Sequence, residues 1–232
     1  PSVSGNSFAE QEWVTSELPG AREVIAFDVD LDDDIDLVAI NRLNILGEFY
    51  DKLVWFENDM GTFGPMQIIK EDIDDARTIS FGDIDGDGVN DILLSSVGTD
   101  DVWYKNLGGS FSDANDIYDN YSKSLTPFDV DQDGDLDVIH AGYFGGAGWV
   151  ENIGDGVFGS NHSIGGGSYR KDLKMADLDG DGDYDAVLAY VGPGYDQGRI
   201  SVYENDGDSN FDFIGGFVSV SYTHLTLPTT PY

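Results

Sequence analysis

The sequence predicts an all-β chain built as a β-propeller of four-stranded blades. Two observations carry this. A nine-residue loop of regularly spaced aspartates occurs four times, beginning at Asp28, Asp83, Asp129 and Asp177, with spacings of 55, 46 and 48 residues. A second motif follows each loop: Trp55-Phe56-Glu57-Asn58, Trp103-Tyr104-Lys105-Asn106, Trp149-Val150-Glu151-Asn152 and Val202-Tyr203-Glu204-Asn205. A period of roughly 50 residues with about four short strands per unit is that of propeller blades.

Each unit reads in one order. A first strand ends at Phe27, Phe81-Gly82, Phe128 or Ala176, and the aspartate loop follows. Next come the apolar runs Leu37-Val38-Ala39-Ile40, Ile92-Leu93-Leu94, Val138-Ile139 and Ala186-Val187-Leu188, which read as buried second strands. The connections after them, Asn41 to Asp51, Gly98 to Asp101, Tyr143 to Gly148 and Gly192 to Gly198, are unlike one another. The Trp-containing motif is the third strand, and its Asn is placed to cap the turn beyond. That turn leads through Gly61-Thr62-Phe63, Gly109-Ser110-Phe111, Gly156-Val157-Phe158 or Asn210-Phe211 into a fourth strand. The Trp and Phe positions are expected to pack between blades, where aromatics bury the most area.

The ends are read separately. Gly5-Asn6-Ser7-Phe8, Glu12-Trp13-Val14 and Ala21-Arg22 align with Gly61-Thr62-Phe63, Gln67-Ile68-Ile69 and Ala76-Arg77, so the chain is expected to open inside a preceding repeat. Residues 1–217 form the repeat region. Beyond Asp212 no acidic residue occurs, and Ser219 to Tyr232 has no counterpart in any repeat. Residues 218–232 resemble translated adapter sequence and are expected to be a non-native tail. With no starting Met and no signal peptide, the chain is expected to be a processed or truncated piece.

The loops have the chemistry of a cation site. In the second, Asp83, Asp85, Asp87 and Asp91 fill positions 1, 3, 5 and 9, and the carbonyl of Val89 is available at position 7. The first loop offers Asp28, Asp30, Asp32 and Asp36, with Asp34 at position 7. The third offers Asp129, Asp131, Asp133 and Asp137, with Asp135 at position 7, and the fourth Asp177, Asp179, Asp181 and Asp185, with Asp183 there. Alternation in an extended segment would point positions 1, 3 and 5 the same way. Gly88, Gly134 and Gly182 at position 6 would permit the turn that returns position 9; the first loop has Asp33 there, which makes it the least ideal. Two carboxylates ~5 Å apart repel by roughly 3 kcal/mol at an effective dielectric of ~20. An ordered loop therefore calls for a cation. Oxygen-only ligands and the absence of cysteine favour calcium, about four ions, over zinc or magnesium. These are not EF-hands: position 12 is Ala39, Leu94, His140 or Leu188 rather than a bidentate Glu.

Composition sets outer bounds. Forty-five acidic residues against 11 basic ones give a formal charge of -34, and four divalent ions at two charges each would leave -26. Nucleic acid and anionic membranes are excluded as natural partners. No stretch is long and apolar enough to span a bilayer. Modest-affinity calcium loops suit an extracellular, secreted or cell-surface setting.

The pattern Asp-x-Asp-x-Asp-Gly-x-x-Asp followed by Trp-x-Glu-Asn resembles the FG-GAP, or VCBS, repeat of integrin-alpha-like propellers. The resemblance covers about Ser7 to Phe217; Phe81-Gly82 keeps the family's Phe-Gly, which the other copies lack. It implies a seven-bladed ring, an aspartate loop between the first two strands of each blade, and calcium at the positions above. Four loops would then be an arc of about four of seven blades, from a fragment of a secreted bacterial member.

Three functions are compatible with such an arc: a calcium-stabilised binding or adhesion module for a glycan or protein, the scaffold of a secreted polysaccharide-active enzyme, and a structural spacer. The first is favoured, with its ligand on the rim opposite the calcium loops, where the connections diverge. Tyr50, Tyr143, Phe144, Tyr190 and Tyr195 are the candidate ligand-stacking aromatics. No catalytic residue is assigned. There is no nucleophile motif, and His140, His162 and His224 are isolated in the sequence.

Overall fold

The computed structural model describes residues 14, 18–42, 44–97, 100–118, 122–142, 146–165, 170–191 and 198–218. Among them every regular element is a strand. The first blade pairs β1 (Ala21–Phe27), β2 (Asp36–Asn41), β3 (Asp51–Phe56) and β4 (Gln67–Ile73) in that order. The second holds β5 (Ala76–Gly82), β6 (Asp91–Ser96), β7 (Asp101–Tyr104) and β8 (Asn115–Tyr118). The third holds β9 (Ser122–Phe128), β10 (Asp137–Gly142), β11 (Ala147–Asn152) and β12 (Phe158–Gly165). The fourth holds β13 (Arg170–Ala176), β14 (Asp185–Val191), β15 (Gly198–Asn205) and β16 (Phe211–Val218). Two small ribbons, Asn44–Ile45 with Glu48–Phe49 and Asn58–Asp59 with Thr62–Phe63, sit in the connections of the first blade. All pairings are antiparallel, so every sheet is an up-and-down meander.

The first strands stand side by side along the arc: β1 against β5, β5 against β9, β9 against β13. The second strands of the two middle blades are therefore covered on both faces. That explains why β6 and β10 are buried at every residue and read as continuous apolar runs rather than alternating ones. The core lies between blades. Trp55 packs in one cluster with Ile79, Ile92 and Leu94; Trp103 with Leu125, Val138 and Val150; Trp149 with Leu173, Ala186 and Leu188. Each Trp of β3, β7 and β11 is at most 5% exposed, as the sequence reading expects. The next blade comes so close that a Cβ on Gly156 would meet the Trp103 ring at 2.5 Å. Apolar surface stays open on the last blade, where Phe213, Ile214 and Phe217 are exposed, as fits an incomplete array of blades.

Polar side chains also tie blades together. Glu23 of β1 accepts the backbone N–H of Ile79 in β5 at 3.0 Å. Asp51 accepts the N–H of Ala76, and Asp101 accepts both the N–H and hydroxyl of Ser122, so the start of one blade's third strand holds the start of the next blade. Burial pushes the Asp101 carboxyl up to about 6. Of the expected tail only Val218 is described, as the last residue of β16; the aligned segment Gly5 to Trp13 also lies outside the described residues.

Candidate metal centres

All four aspartate loops join the first two strands of a blade, at one rim. They are not extended. Positions 4 and 6 both take left-handed backbone in every copy: Leu31 and Asp33 (φ 68° and 73°), Gly86 and Gly88, Gln132 and Gly134, Gly180 and Gly182. This corrects the expectation of an alternating extended segment with one turn at position 6. The carboxylates converge because the loop coils around its first aspartate. Asp28 accepts the N–H groups of Leu31, Asp32 and Asp33; Asp83 accepts that of Gly88, and Asp177 that of Gly180. In every loop the position-5 carboxylate accepts the position-7 N–H, at 2.9–3.0 Å. Leu31, with no glycine's freedom, stores about 1–2 kcal/mol of strain in this conformation.

Four groups of carboxylates result, each with one oxygen per residue inside 4.8 Å of the others: Asp28, Asp30 and Asp32; Asp83, Asp85 and Asp91; Asp129, Asp131 and Asp137; Asp177, Asp179 and Asp181. Within these groups the Oδ1 atoms of Asp30, Asp83, Asp85 and Asp129 are buried without a hydrogen-bond partner. Leaving a buried polar atom unpaired costs about 1–3 kcal/mol. A hard cation with oxygen ligands fits that need, and calcium tolerates irregular geometry better than magnesium does. Burial and then the neighbouring carboxylates push Asp30 above the usual carboxylate range, and burial does the same at Asp131. The fourth group is exposed throughout.

The ninth position does something further. One oxygen of Asp36, Asp91, Asp137 and Asp185 accepts the N–H of position 2 (Val29, Ile84, Val130, Leu178) at 2.8–3.1 Å. The other oxygen accepts the N–H of the motif Asn (Asn58, Asn106, Asn152, Asn205) at 2.7–3.0 Å. Each is a buried bracket between loop and third strand. Asp36 and Asp185 lie outside the carboxylate groups, whereas Asp91 and Asp137 belong to both bracket and group. Burial raises Asp91 to about 6 and Asp137 to about 7.

The motif Asn completes the bracket. Its Oδ1 caps the following turn by accepting the N–H of Gly61, Gly108, Gly154 or Gly207, as the sequence reading expects. Its Nδ2 donates to the position-8 carbonyl of its own loop, at Ile35, Asn90, Leu136 or Tyr184. In two blades it also reaches the preceding blade: Asn106 donates to Val29 O and Asn152 to Ile84 O, both at 2.8 Å. This link is not visible in the repeat spacing; the recurring Asn was its only signal.

In the first loop the position-7 side chain is pulled elsewhere. The side chain of Asp34 turns to the next turn, accepting the Met60 N–H at 2.7 Å. In the second loop Lys105 of the third-strand motif ion-pairs with Asp85 and, at 2.7 Å, with Asp87. Those two contacts hold its ammonium well above the usual lysine range.

The candidate ligand aromatics fare differently. Tyr50 is exposed and donates its hydroxyl to Glu48 at 2.8 Å. Tyr190 is not on an open connection; it lies in β14 and packs against the core of the last two blades. An apolar strand position drew it inward. Tyr143, Phe144 and Tyr195 lie outside the described residues. His140 is buried in β10, with Nε2 2.6 Å from Asn161 Oδ1, and His162 stacks on Trp149 with ring centroids 4.4 Å apart. Both have packing roles.

Residues 83–140 and 129–188 match the family model of the FG-GAP-like repeat. Each match runs from one aspartate loop through the next, so it contains a complete loop, bracket and Trp-containing third strand. No curated protein sequence matches the chain.

Proposed function

We propose, on the ground of the FG-GAP-like repeats over residues 83–188, that the chain is a calcium-stabilised, non-catalytic binding module acting outside the cell. The observation that carries the calcium part is the set of buried carboxylate oxygens without partners, gathered in loops at one rim. Bound calcium would cancel the repulsion among these carboxylates and fix the loops. The chain's own residues supply the rest: the ninth aspartate and the motif Asn transmit the loop's position to the third strand and, through Asn106 and Asn152, to the neighbouring blade.

Ligand binding belongs on the opposite rim. There the connections after the second strands differ from blade to blade, and Tyr50 offers an exposed ring. A glycan is the favoured ligand, because aromatic rings on exposed loops stack on sugar faces, and adhesion is the role such a surface suits. Among the described residues no helix is long and apolar enough to cross a membrane. A glycan array probed in calcium and in chelator tests the reading. Binding to a defined glycan class in calcium, reduced in chelator and by Tyr50→Ala, is expected; binding indifferent to both treatments would speak against it.

A further inference from the structure

The four loops do not carry the same charge. In three blades the residue before the motif Asn is acidic: Glu57, Glu151 and Glu204. Glu57 and Glu151 add negative charge near Asp30 and Asp131 of their own blades' loops, while their carboxylates reach Gln67 at 3.4 Å and His162 at 3.6 Å in the fourth strands. In the second blade the same position is Lys105, and its ammonium reaches Asp85 and Asp87. The second loop also has Val89 at position 7, where the others have Asp34, Asp135 and Asp183. It is thus poorer in carboxylate by two positions and richer by one ammonium.

We propose that Lys105 is a built-in cation of the second loop, which makes that loop the weakest calcium site of the four and the one that holds its shape without metal. This rests on the calcium reading above for the other three loops. A full set of aspartates with glycine at both left-handed positions, which the second loop shares with the fourth, therefore does not by itself mark a tight site. Ligand charge sets calcium affinity over orders of magnitude among oxygen sites of similar geometry. A fixed ammonium among the ligands both repels a divalent ion and occupies the oxygens it needs. Asp83 Oδ1 and Asp85 Oδ1 stay without hydrogen-bond partners beside it, so the loop keeps a residual and weaker capacity for calcium.

The test uses the full 232-residue chain as wild type, Lys105→Glu, Lys105→Met and Glu151→Lys. Calcium is titrated by calorimetry after chelator treatment, and each variant is melted in chelator. Wild type is expected to bind with one site clearly weaker than the rest. Lys105→Glu should tighten that site by ~10-fold or more, and Glu151→Lys should create a second weak site. In chelator, Lys105→Met and Lys105→Glu should melt below wild type, since the loop has lost its internal cation. A weakest site that ignores Lys105→Glu, or chelator melting unchanged by both Lys105 variants, would overturn the proposal. Absence of any calcium binding by wild type would instead overturn the calcium reading, and the chelator melts would still judge the role of Lys105.

Discussion

At the scale of single residues, the ninth aspartate shows how one side chain can serve two purposes. Its spacing reads simply as a fourth ligand, and that was legible; that both its oxygens are taken by backbone N–H groups was not, because hydrogen bonds to residues 7 positions back and 15 or more ahead leave no local pattern. The consequence is separable by mutation. Asp137→Ala leaves the N–H groups of Val130 and Asn152 unpaired in the interior, and should cost about 2–4 kcal/mol of stability even in chelator. Asp133 is exposed and accepts a single local N–H; Asp133→Ala should cost less than about 1 kcal/mol in chelator and act chiefly by lowering the calcium-dependent gain. Urea unfolding of both variants, with and without calcium, makes the comparison. The left-handed backbone of Leu31 and Gln132 was illegible for a similar reason: neither residue type announces it, and only the glycines at the same position in the other two loops hint at it.

At the scale of strands and loops, the order of elements in each blade was legible because it recurs four times. The alternating extended loop was not the one observed, since a short run of aspartates satisfies its own backbone N–H groups by coiling. The buried loop carboxylates also give the blades a pH dependence. Asp91 and Asp137 sit at about 6 and 7 when folded, against roughly 3.9 in an unfolded chain. The folded state binds these protons more tightly, so their contribution to stability is full below the unfolded value and is lost as pH rises through 6 to 7. In chelator the melting temperature should therefore rise as pH is lowered from 8 to 5. In saturating calcium the gain over the chelator curve should shrink over the same range, because the ligands must be deprotonated to bind. A chelator curve that falls on acidification across this window would contradict the assignment.

At the scale of the whole molecule, four sheets with apolar faces on both sides are held by three inter-blade cores centred on Trp55, Trp103 and Trp149. This was legible from the recurring Trp and the continuous apolar runs. The ligand surface was not, because the connections on the far rim do not repeat, and Tyr190, chosen for it, belongs to a strand. A chain of formal charge -34 stacks four acidic loops along a single rim, and the repulsion among them grows with every blade added. Calcium would relieve that repulsion and add binding free energy to the folded state alone. Thermal unfolding of the whole chain at neutral pH, in excess chelator and in millimolar calcium, measures this directly. A melting temperature that climbs with calcium concentration, and does so far less with magnesium, is the expected result. One melting curve shared by all three conditions would contradict it.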